Sequence, residues 1–242
     1  MKKGISYASF LLLLVCISLL GATLCERGVA SIFVADEEVV AAPVIILDAG
    51  HGGEDGGATG TSGVLEKDLN LSVTRTLADL LRVAGYTVVE TRTEDRLLCD
   101  EDTPKGRRKL GDLQNRLHYT EQYPDSVLIS VHMNTFPNDS CRGTQVLYSQ
   151  NDERSFAFAQ AVQETIKAEL QPSNNRRVKA ATSSIYLLRH AKTPAILIEC
   201  GFLSTPDECE ALSTDAYQKA LALTIFSAIC DKMPCESVPS VL

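Results

Sequence analysis

Apolar and polar positions alternate in blocks along the chain from residue 44 onward. Short apolar runs typical of buried strands cover residues 44–48, 86–92, 126–132, 143–149 and 195–200. Apolar residues recur with helical spacing over residues 69–85, 106–123, 153–171 and about 215–230. Strands that alternate with helices of this length build layered α/β folds around a buried sheet. The pattern therefore predicts a single α/β domain with a mixed, mostly parallel sheet flanked by helices.

The beginning of the chain has a different pattern. Two lysines precede a nearly uninterrupted apolar stretch from Ile5 to Cys25. This layout is typical of a secretory signal peptide, and its length is also close to the roughly 20 residues that cross a bilayer. We therefore predict a cleaved leader or a membrane anchor over residues 1–30, a tether over 31–42, a folded domain over 43–232 and a flexible tail over 233–242. The domain then lies outside the cytoplasm, either secreted or anchored.

Composition narrows the classes of partner and site. The formal net charge is −8, which argues against a nucleic-acid partner, and membrane contact is expected only through the N-terminal segment. Six cysteines follow the leader and could form disulfides outside the cytoplasm. No two of them form a CxxC pair, so a zinc site made of cysteines is not expected. They are Cys99, Cys141, Cys200, Cys209, Cys230 and Cys235.

Three of the predicted strands end at an ionisable side chain. The stretch "VIILDAGH" leads to His51, "SVLISVHMN" leads to His132, and "PAILIECGF" leads to Glu199. In open α/β sheets, ligands and chemistry are placed at the carboxyl ends of the strands, because the loops converge there while the sheet holds them rigid. We expect these three side chains to share one site.

Two imidazoles beside carboxylates favour a zinc site. Catalytic zinc commonly takes three nitrogen or oxygen ligands and keeps one position for water. His51 and His132 supply two ligands, and Glu66, just ahead of a predicted helix, is our choice for the third. Glu54 and Asp55 compete on spacing alone, but their closeness to His51 would require a tight turn for joint coordination.

Glu199 then has a different role. A zinc ion lowers the pKa of its bound water to about 7, and a nearby carboxylate can take the proton and return it to a leaving amine. This combination predicts hydrolysis of an amide, with Glu199 as the general base and acid. Asp48 is expected to orient an imidazole from behind. Cys200 should point to the opposite face of its strand, which disfavours a cysteine nucleophile.

Other ionisable residues are interpreted as structural. His118 and His190 do not end a strand beside other ligands, so we expect neither in the site. A cluster of basic residues before the second histidine is expected to be a solvated helix start, with contact to an anionic wall polymer or a partner as the alternative. The cluster comprises Lys105, Arg107, Arg108 and Lys109.

Four motifs resemble, in order and spacing, those of the zinc-dependent N-acetylmuramoyl-L-alanine amidases, the amidase 3 family of cell-wall hydrolases. They are "LDAGHGGEDGGA", "EKDLNL", "SVHMN" and "PAILIECGFLS". The resemblance implies one zinc ion per chain and peptidoglycan as the substrate. It also implies that the zinc ligands are His51, Glu66 and His132 and that the catalytic residue is Glu199.

The same resemblance implies supporting or substrate-binding roles for Asn134 and Arg116. The chain departs from the family pattern at three positions that are not expected ligands. Ala49 stands where the family has a proline, Met133 replaces a small residue, and Thr205 replaces an asparagine.

A single catalytic domain behind an apolar segment, with "TPKGRRKLGDLQNR" before the second histidine, resembles the spore-cortex branch of the family. That branch removes stem peptides so that a deacetylase can complete muramic-δ-lactam. The implied setting is cortex maturation and germination around the developing spore, with that deacetylase in the same pathway and an accessory activator as a further partner. The alternatives are a division or wall-remodelling amidase, a zinc peptidase that cuts the stem peptide, and a non-catalytic peptidoglycan-binding module.

Overall fold

A computed structural model describes residues 43–138 and 140–234. The predicted leader over 1–30, the tether over 31–42 and residues 235–242 of the predicted tail lie outside the described residues. Within the described ranges, no helix is both long enough and apolar enough to cross a membrane.

Six strands form one mixed sheet, in the spatial order β2-β1-β3-β6-β4-β5. The strands are β1 (Ile45–Ala49), β2 (Val88–Glu90), β3 (Val127–Asn134), β4 (Gln145–Tyr148), β5 (Lys179–Ala180) and β6 (Ala195–Phe202). All neighbouring pairs are parallel except β4 and β6, which are antiparallel. The predicted α/β domain with a mostly parallel mixed sheet is therefore confirmed.

Helices flank both faces of this sheet. They are α1 (Glu66–Val83), α2 (Arg108–Gln122), α3 (Arg154–Glu169), α4 (Tyr186–His190), α5 (Pro206–Leu212) and α6 (Asp215–Lys232), with a 3₁₀ turn at Lys105–Arg107 before α2. In α1, buried apolar residues recur every four positions, which gives the helix one face toward the sheet. These residues are Leu69, Val73, Leu77 and Leu81.

The two faces of the sheet belong to separate apolar clusters. The larger cluster lies between the sheet and α1, α3 and α6, and includes Ile129 and Ile198. The smaller cluster lies on the other face, beneath α2 and α4, and includes Leu128 and Leu197. Because successive side chains of a strand point to opposite faces, β3 and β6 contribute to both clusters.

Several elements differ from the sequence prediction. The strand expected over 86–92 is limited to Val88–Glu90, at one edge of the sheet. β5, α4 and α5 were not predicted, because elements of two to seven residues are too short to show a period. The described cysteines Cys99, Cys141, Cys200, Cys209 and Cys230 are unpaired, and Cys235 lies outside the described residues.

Candidate metal centre

The parallel strands β1, β3 and β6 bring the predicted site residues to one edge of the sheet. His132 is paired in register with Glu199 on the neighbouring strand, and His51 follows the end of β1 by two residues. Glu66 is the first residue of α1, rather than lying just ahead of the helix as predicted. The structure therefore places these four residues together at the carboxyl end of the central strands.

The loop that carries His51 is held in an unusual backbone conformation. His51 has a φ of 62°, which is uncommon for a residue with a side chain and is often found at functional sites. Gly50 lies so close to His132 that a Cβ at this position would be 2.2 Å from the imidazole. The glycine therefore allows the backbone of the first histidine's loop to pack directly against the second histidine.

Three ligand-type atoms converge on one point. Glu66 Oε1 lies 3.2 Å from His51 Nε2 and 3.0 Å from His132 Nδ1, and the ligand atoms of the three residues all lie within 4.8 Å of one another. Nitrogen and oxygen ligands at roughly 2.0–2.2 Å from a tetrahedral ion are themselves separated by a little over 3 Å. The three residues thus fit a small divalent cation that keeps one position open.

Hydrogen bonds fix the Glu66 carboxylate from behind. Its Oε2 accepts a bond from the backbone N–H of Ala58 at 2.8 Å, and its Oε1 accepts one from the N–H of Met133 at 3.1 Å. The Asn70 amide, one helical turn further along α1, also donates to Oε1 at 3.3 Å. The carboxylate is therefore oriented before any ion binds.

The electrostatics of this cluster favour a cation. Burial raises the pKa of Glu66, but hydrogen bonds and charge from His132 and His51 outweigh burial and hold it well below its usual range. For His51, burial lowers the pKa, whereas contacts with Glu66 and Asp55 raise it. When both imidazoles are neutral, the carboxylates of Glu66 and Asp55 give this cluster a net negative charge, which a metal ion would neutralise.

The two competing candidates for the third ligand lie elsewhere. Asp55 Oδ2 is 3.0 Å from His51 Nδ1, the ring nitrogen that does not face Glu66, although the pair is not aligned as a hydrogen bond. Glu54 forms an exposed ion pair with Arg108 at 3.0 Å. Asp55 is thus the carboxylate beside the outer ring nitrogen of His51, a position that we had expected for Asp48.

Glu199 presents an unpaired carboxyl group. Its Oε2 is buried and has no hydrogen-bond partner among the described residues. Burial raises the pKa of Glu199, His132 lowers it, and Glu66 raises it further, with a net upward shift. Cys200, the next residue, is fully buried in the larger apolar cluster on the opposite face, as predicted.

Asp48 and Arg116 form a buried ion pair beneath the first histidine. The Arg116 guanidinium donates to Asp48 at 2.6 Å and to the His51 carbonyl at 2.6 Å, and it also pairs with Asp112 at 2.8 Å. The Asp48 carboxylate bonds to Arg116, Ser130 and Thr91, so the expectation that it directly orients an imidazole is corrected: it reaches His51 through Arg116.

The remaining predicted residues have separate environments. Asn134 ends β3, and its carbonyl accepts a bond from Leu203 at 2.8 Å. His118 contacts Glu121 on an exposed helix face, and His190 packs against Tyr186 at the end of α4. The two histidines lie outside the cluster of ligands, as the sequence had indicated.

Sequence reasoning missed Asn70, Arg92 and Asp112. Asn70 stands four residues after Glu66, and this helical spacing was a signal that could have identified it. Arg92 and Asp112 gave no comparable signal, because a charged residue in a predicted loop or helix is usually exposed.

The family of N-acetylmuramoyl-L-alanine amidases known as amidase 3 matches residues 45–231. The chain belongs to this family. It is thus an N-acetylmuramoyl-L-alanine amidase that acts on peptidoglycan, and the resemblance seen in the four motifs is confirmed.

Named relatives agree with this assignment. The germination-specific N-acetylmuramoyl-L-alanine amidase of Bacillus subtilis is 36% identical over 188 residues, which cover 77% of this chain and 78% of the relative. The CwlD amidase of Clostridioides difficile, solved in complex with the GerS lipoprotein, is 35% identical with a TM-score of 0.75 over 78% of this chain and 98% of that chain. The amidase AmiC2 of Nostoc punctiforme is 28% identical with a TM-score of 0.67, over 78% and 96% of the two chains.

Proposed function

We propose that this amidase is a zinc enzyme that hydrolyses the amide between N-acetylmuramic acid and L-alanine by the joint action of His51, Glu66, His132 and Glu199. The observation that carries the proposal is the convergence of two imidazole nitrogens and a carboxylate oxygen beside the Glu199 carboxyl group, whose buried Oε2 has no hydrogen-bond partner among the described residues. A closed structural metal site has no use for that fourth group, which disfavours a module that only binds peptidoglycan.

His51, Glu66 and His132 would hold one zinc ion per chain. When bound there, zinc supplies Lewis acidity, which lowers the pKa of a water molecule to about 7 and polarises the scissile carbonyl. The hydrogen bonds from Ala58, Met133 and Asn70 keep the Glu66 oxygens in place for this task.

Glu199 moves the proton. Its carboxylate accepts a proton from the attacking water, and the resulting carboxylic acid donates it to the L-alanine nitrogen as the C–N bond breaks. The raised pKa of Glu199 suits both steps, since a general base and acid works best when its pKa is near the working pH. The products are a free lactyl carboxylate on the sugar and a stem peptide with a free amino end.

Three residues would support the reaction without taking part in it. Arg116 fixes the backbone carbonyl of His51, and Asp48 neutralises the buried guanidinium. Asn134, at the end of the strand that carries His132, would contribute to the substrate groove, as the family resemblance implies.

We further propose that the enzyme acts in the spore cortex, outside the cytoplasm, where stem-peptide removal precedes the deacetylase step of muramic-δ-lactam formation. The similarity to a germination-specific amidase supports this setting. The CwlD relative is in complex with a lipoprotein, and we propose a lipoprotein activator for this chain as well. In this arrangement residues 43–232 are the catalytic domain, and residues 1–30 direct it across or into the membrane ahead of a tether over 31–42.

The experiment that tests the reaction is product analysis. Purified protein loaded with zinc is incubated with peptidoglycan, alone and together with a co-expressed lipoprotein as the activator, and the products are identified by mass spectrometry. Free stem peptides that begin with L-alanine are expected. Fragments cut within the peptide would instead identify a peptidase, and binding without any product would identify a non-catalytic module.

A matched pair of variants tests the third ligand. Glu66→Ala should lose zinc, whereas Glu54→Ala should retain it, because only the Glu66 oxygen lies with the two imidazoles. Zinc content measured by metal analysis after dialysis separates the two. The reverse order would move the third ligand to Glu54.

A further inference from the structure

Arg92 is one of two arginines among the largest fully buried side chains of the described protein, and the other is Arg116. Arg116 is neutralised by Asp48 and Asp112. Arg92 has no carboxylate within ion-pair distance among the described residues, and all its hydrogen bonds go to backbone carbonyls. Burying a guanidinium without a counter-ion is costly, so this arrangement requires a reason beyond packing.

The carbonyls that Arg92 binds lie next to the ligands. Its Nε donates to Ala49 at 2.8 Å, and its Nη2 donates to Gly50 at 3.0 Å and to Lys67 at 2.8 Å. A fourth bond, from Nη1 to the Glu94 carbonyl at 3.1 Å, ties the guanidinium to its own loop. The planar fork of arginine thus connects the end of β1 with the first turn of α1.

These contacts reach the surroundings of all three ligands. Gly50 directly precedes His51, and Lys67 directly follows Glu66. Gly50 also packs against the His132 ring, where a Cβ would come within 2.2 Å. One side chain therefore fixes backbone that lies beside each of the three residues, and all of its hydrogen bonds go to carbonyls.

Asp95, in the loop after β2, also contacts both the loop that carries His51 and the first turn of α1. The Asp95 carboxylate accepts a bond from the Gly53 N–H at 2.7 Å and pairs with the Lys67 ammonium at 2.6 Å. Lys67 in turn donates to the Gly53 carbonyl at 2.9 Å. The buried Arg92 and the half-exposed Asp95 thus both connect the loop that carries His51 with the start of α1.

We propose that Arg92 is a positioning residue that sets the spacing of His51, Glu66 and His132 before the metal binds. This inference rests on the proposed metal site and adds to it a residue that is outside the ligand set. Lysine cannot replace arginine here, because a single ammonium nitrogen cannot bond in fixed directions to carbonyls on opposite sides.

The test compares zinc affinity with the stability of the metal-free protein. Zinc is removed with a chelator, Kd is measured by competition with a chromophoric chelator, and Tm is recorded with and without zinc. Changes behind the ligands of a metal typically cost about 10- to 100-fold in affinity, and we expect that rise in Kd for Arg92→Lys. The control Ile225→Ala, in the larger apolar cluster on α6, should lower Tm of the metal-free protein while Kd stays within about twofold of wild type.

The outcomes separate the two levels of the proposal. If the wild-type protein binds no zinc, the proposed metal site fails. If the wild type binds zinc and Arg92→Lys binds it equally well while Tm falls, Arg92 is only a structural residue and the inference is overturned. If Arg92→Lys does not fold, the test uses Asp95→Asn, because the half-exposed Asp95 also connects the loop that carries His51 with the start of α1. A several-fold rise in Kd would support the inference, and an unchanged Kd would overturn it.

Discussion

The two faces of the central sheet differ in what they contain, although the same strands build both. On one face, β3 and β6 contribute Val131 and Ile198 to the larger apolar cluster beneath α1, α3 and α6. On the other face, which carries the smaller apolar cluster, the adjacent residues are His132 and Glu199, and His132 lines a small cavity together with Asp48 and Arg116. A shift of one residue along either strand therefore leads from a position in the apolar core to a position in the proposed active site.

This division is physically useful. Apolar burial fixes the strands through many small contacts, so the opposite face can hold polar groups that are not satisfied on their own. The Oε2 atom of Glu199, which has no hydrogen-bond partner in the described part of the chain, belongs to such a group. Variants at neighbouring positions should therefore separate stability from activity, and four predictions test this.

The largest effect is expected at the second histidine. His132→Ala should lose zinc and with it most of a rate acceleration that is typically about 10⁶-fold or more, because the ion would be left with two protein ligands. Zinc content and amide hydrolysis are measured together. The neighbouring Val131→Ala should keep its zinc, and zinc bound at full occupancy by His132→Ala would rule out its role as a ligand.

Glu199→Gln should reduce the hydrolysis rate by about 10²- to 10⁴-fold, because glutamine retains the volume but cannot accept the proton. Zinc content and Tm should stay near the wild-type values, and peptidoglycan binding should persist. Loss of zinc would make Glu199 a ligand. Full activity would assign the base to another residue.

Ile198→Ala, one residue earlier on β6, should show the opposite behaviour. Removing a buried isoleucine side chain lowers the free energy of unfolding by about 2–5 kcal/mol, which denaturant titration would measure. The rate per folded molecule should change little. A loss of activity comparable to that of Glu199→Gln, in protein shown to be folded, would contradict the separation of the two faces.

The smallest effect concerns the pH dependence of stability on the polar face. Burial raises the pKa of Asp48, but Arg116 and hydrogen bonds from Ser130 and Thr91 outweigh it and leave the pKa at about 2, against an ordinary value of 3.8. Because the folded-state pKa is depressed, the carboxylate stabilises the fold above pH 4, and this contribution is lost as the pH falls toward 2.

The loss should amount to about 2 kcal/mol, since one pKa unit corresponds to about 1.36 kcal/mol. Unfolding of the metal-free protein measured from pH 5 to pH 2 should show this extra loss in the wild type and lack it in Asp48→Asn. That variant should also be less stable at neutral pH, because Arg116 is left without one of its two counter-ions. Parallel pH curves for the two proteins would contradict the assignment.

The sequence was sufficient to predict that His51, His132 and Glu199 lie near the carboxyl ends of three strands, although β3 continues past His132 to Asn134 and β6 continues past Glu199 to Phe202. Apolar runs that stop at ionisable residues can be recognised without coordinates, and parallel strands bring such ends to one edge. The antiparallel direction of β4 could not be predicted in this way, because side-chain alternation is the same in both directions.

Arg92 illustrates what remains hidden in a sequence. Its partners are the carbonyls of Ala49, Gly50 and Lys67, and every residue has a carbonyl, so only the fold determines which of them converge. The positions of Asp48 and Asp55 were hidden for a similar reason, since both stand close to His51 in the chain and the turn decides which one lies beside its ring.

The order of the strands has a consequence for when the enzyme would acquire the proposed zinc ion during folding. β1, β3 and β6 are neighbours in the sheet, yet Ile45–Ala49 and Ala195–Phe202 are far apart along the chain. His51 and Glu66 are close together in the chain, but His132 joins them only after a long loop has closed, and such non-local pairing is slow. High-affinity zinc capture should therefore follow assembly of the central strands, so the rate of metal uptake by refolding chains would report the completion of the sheet.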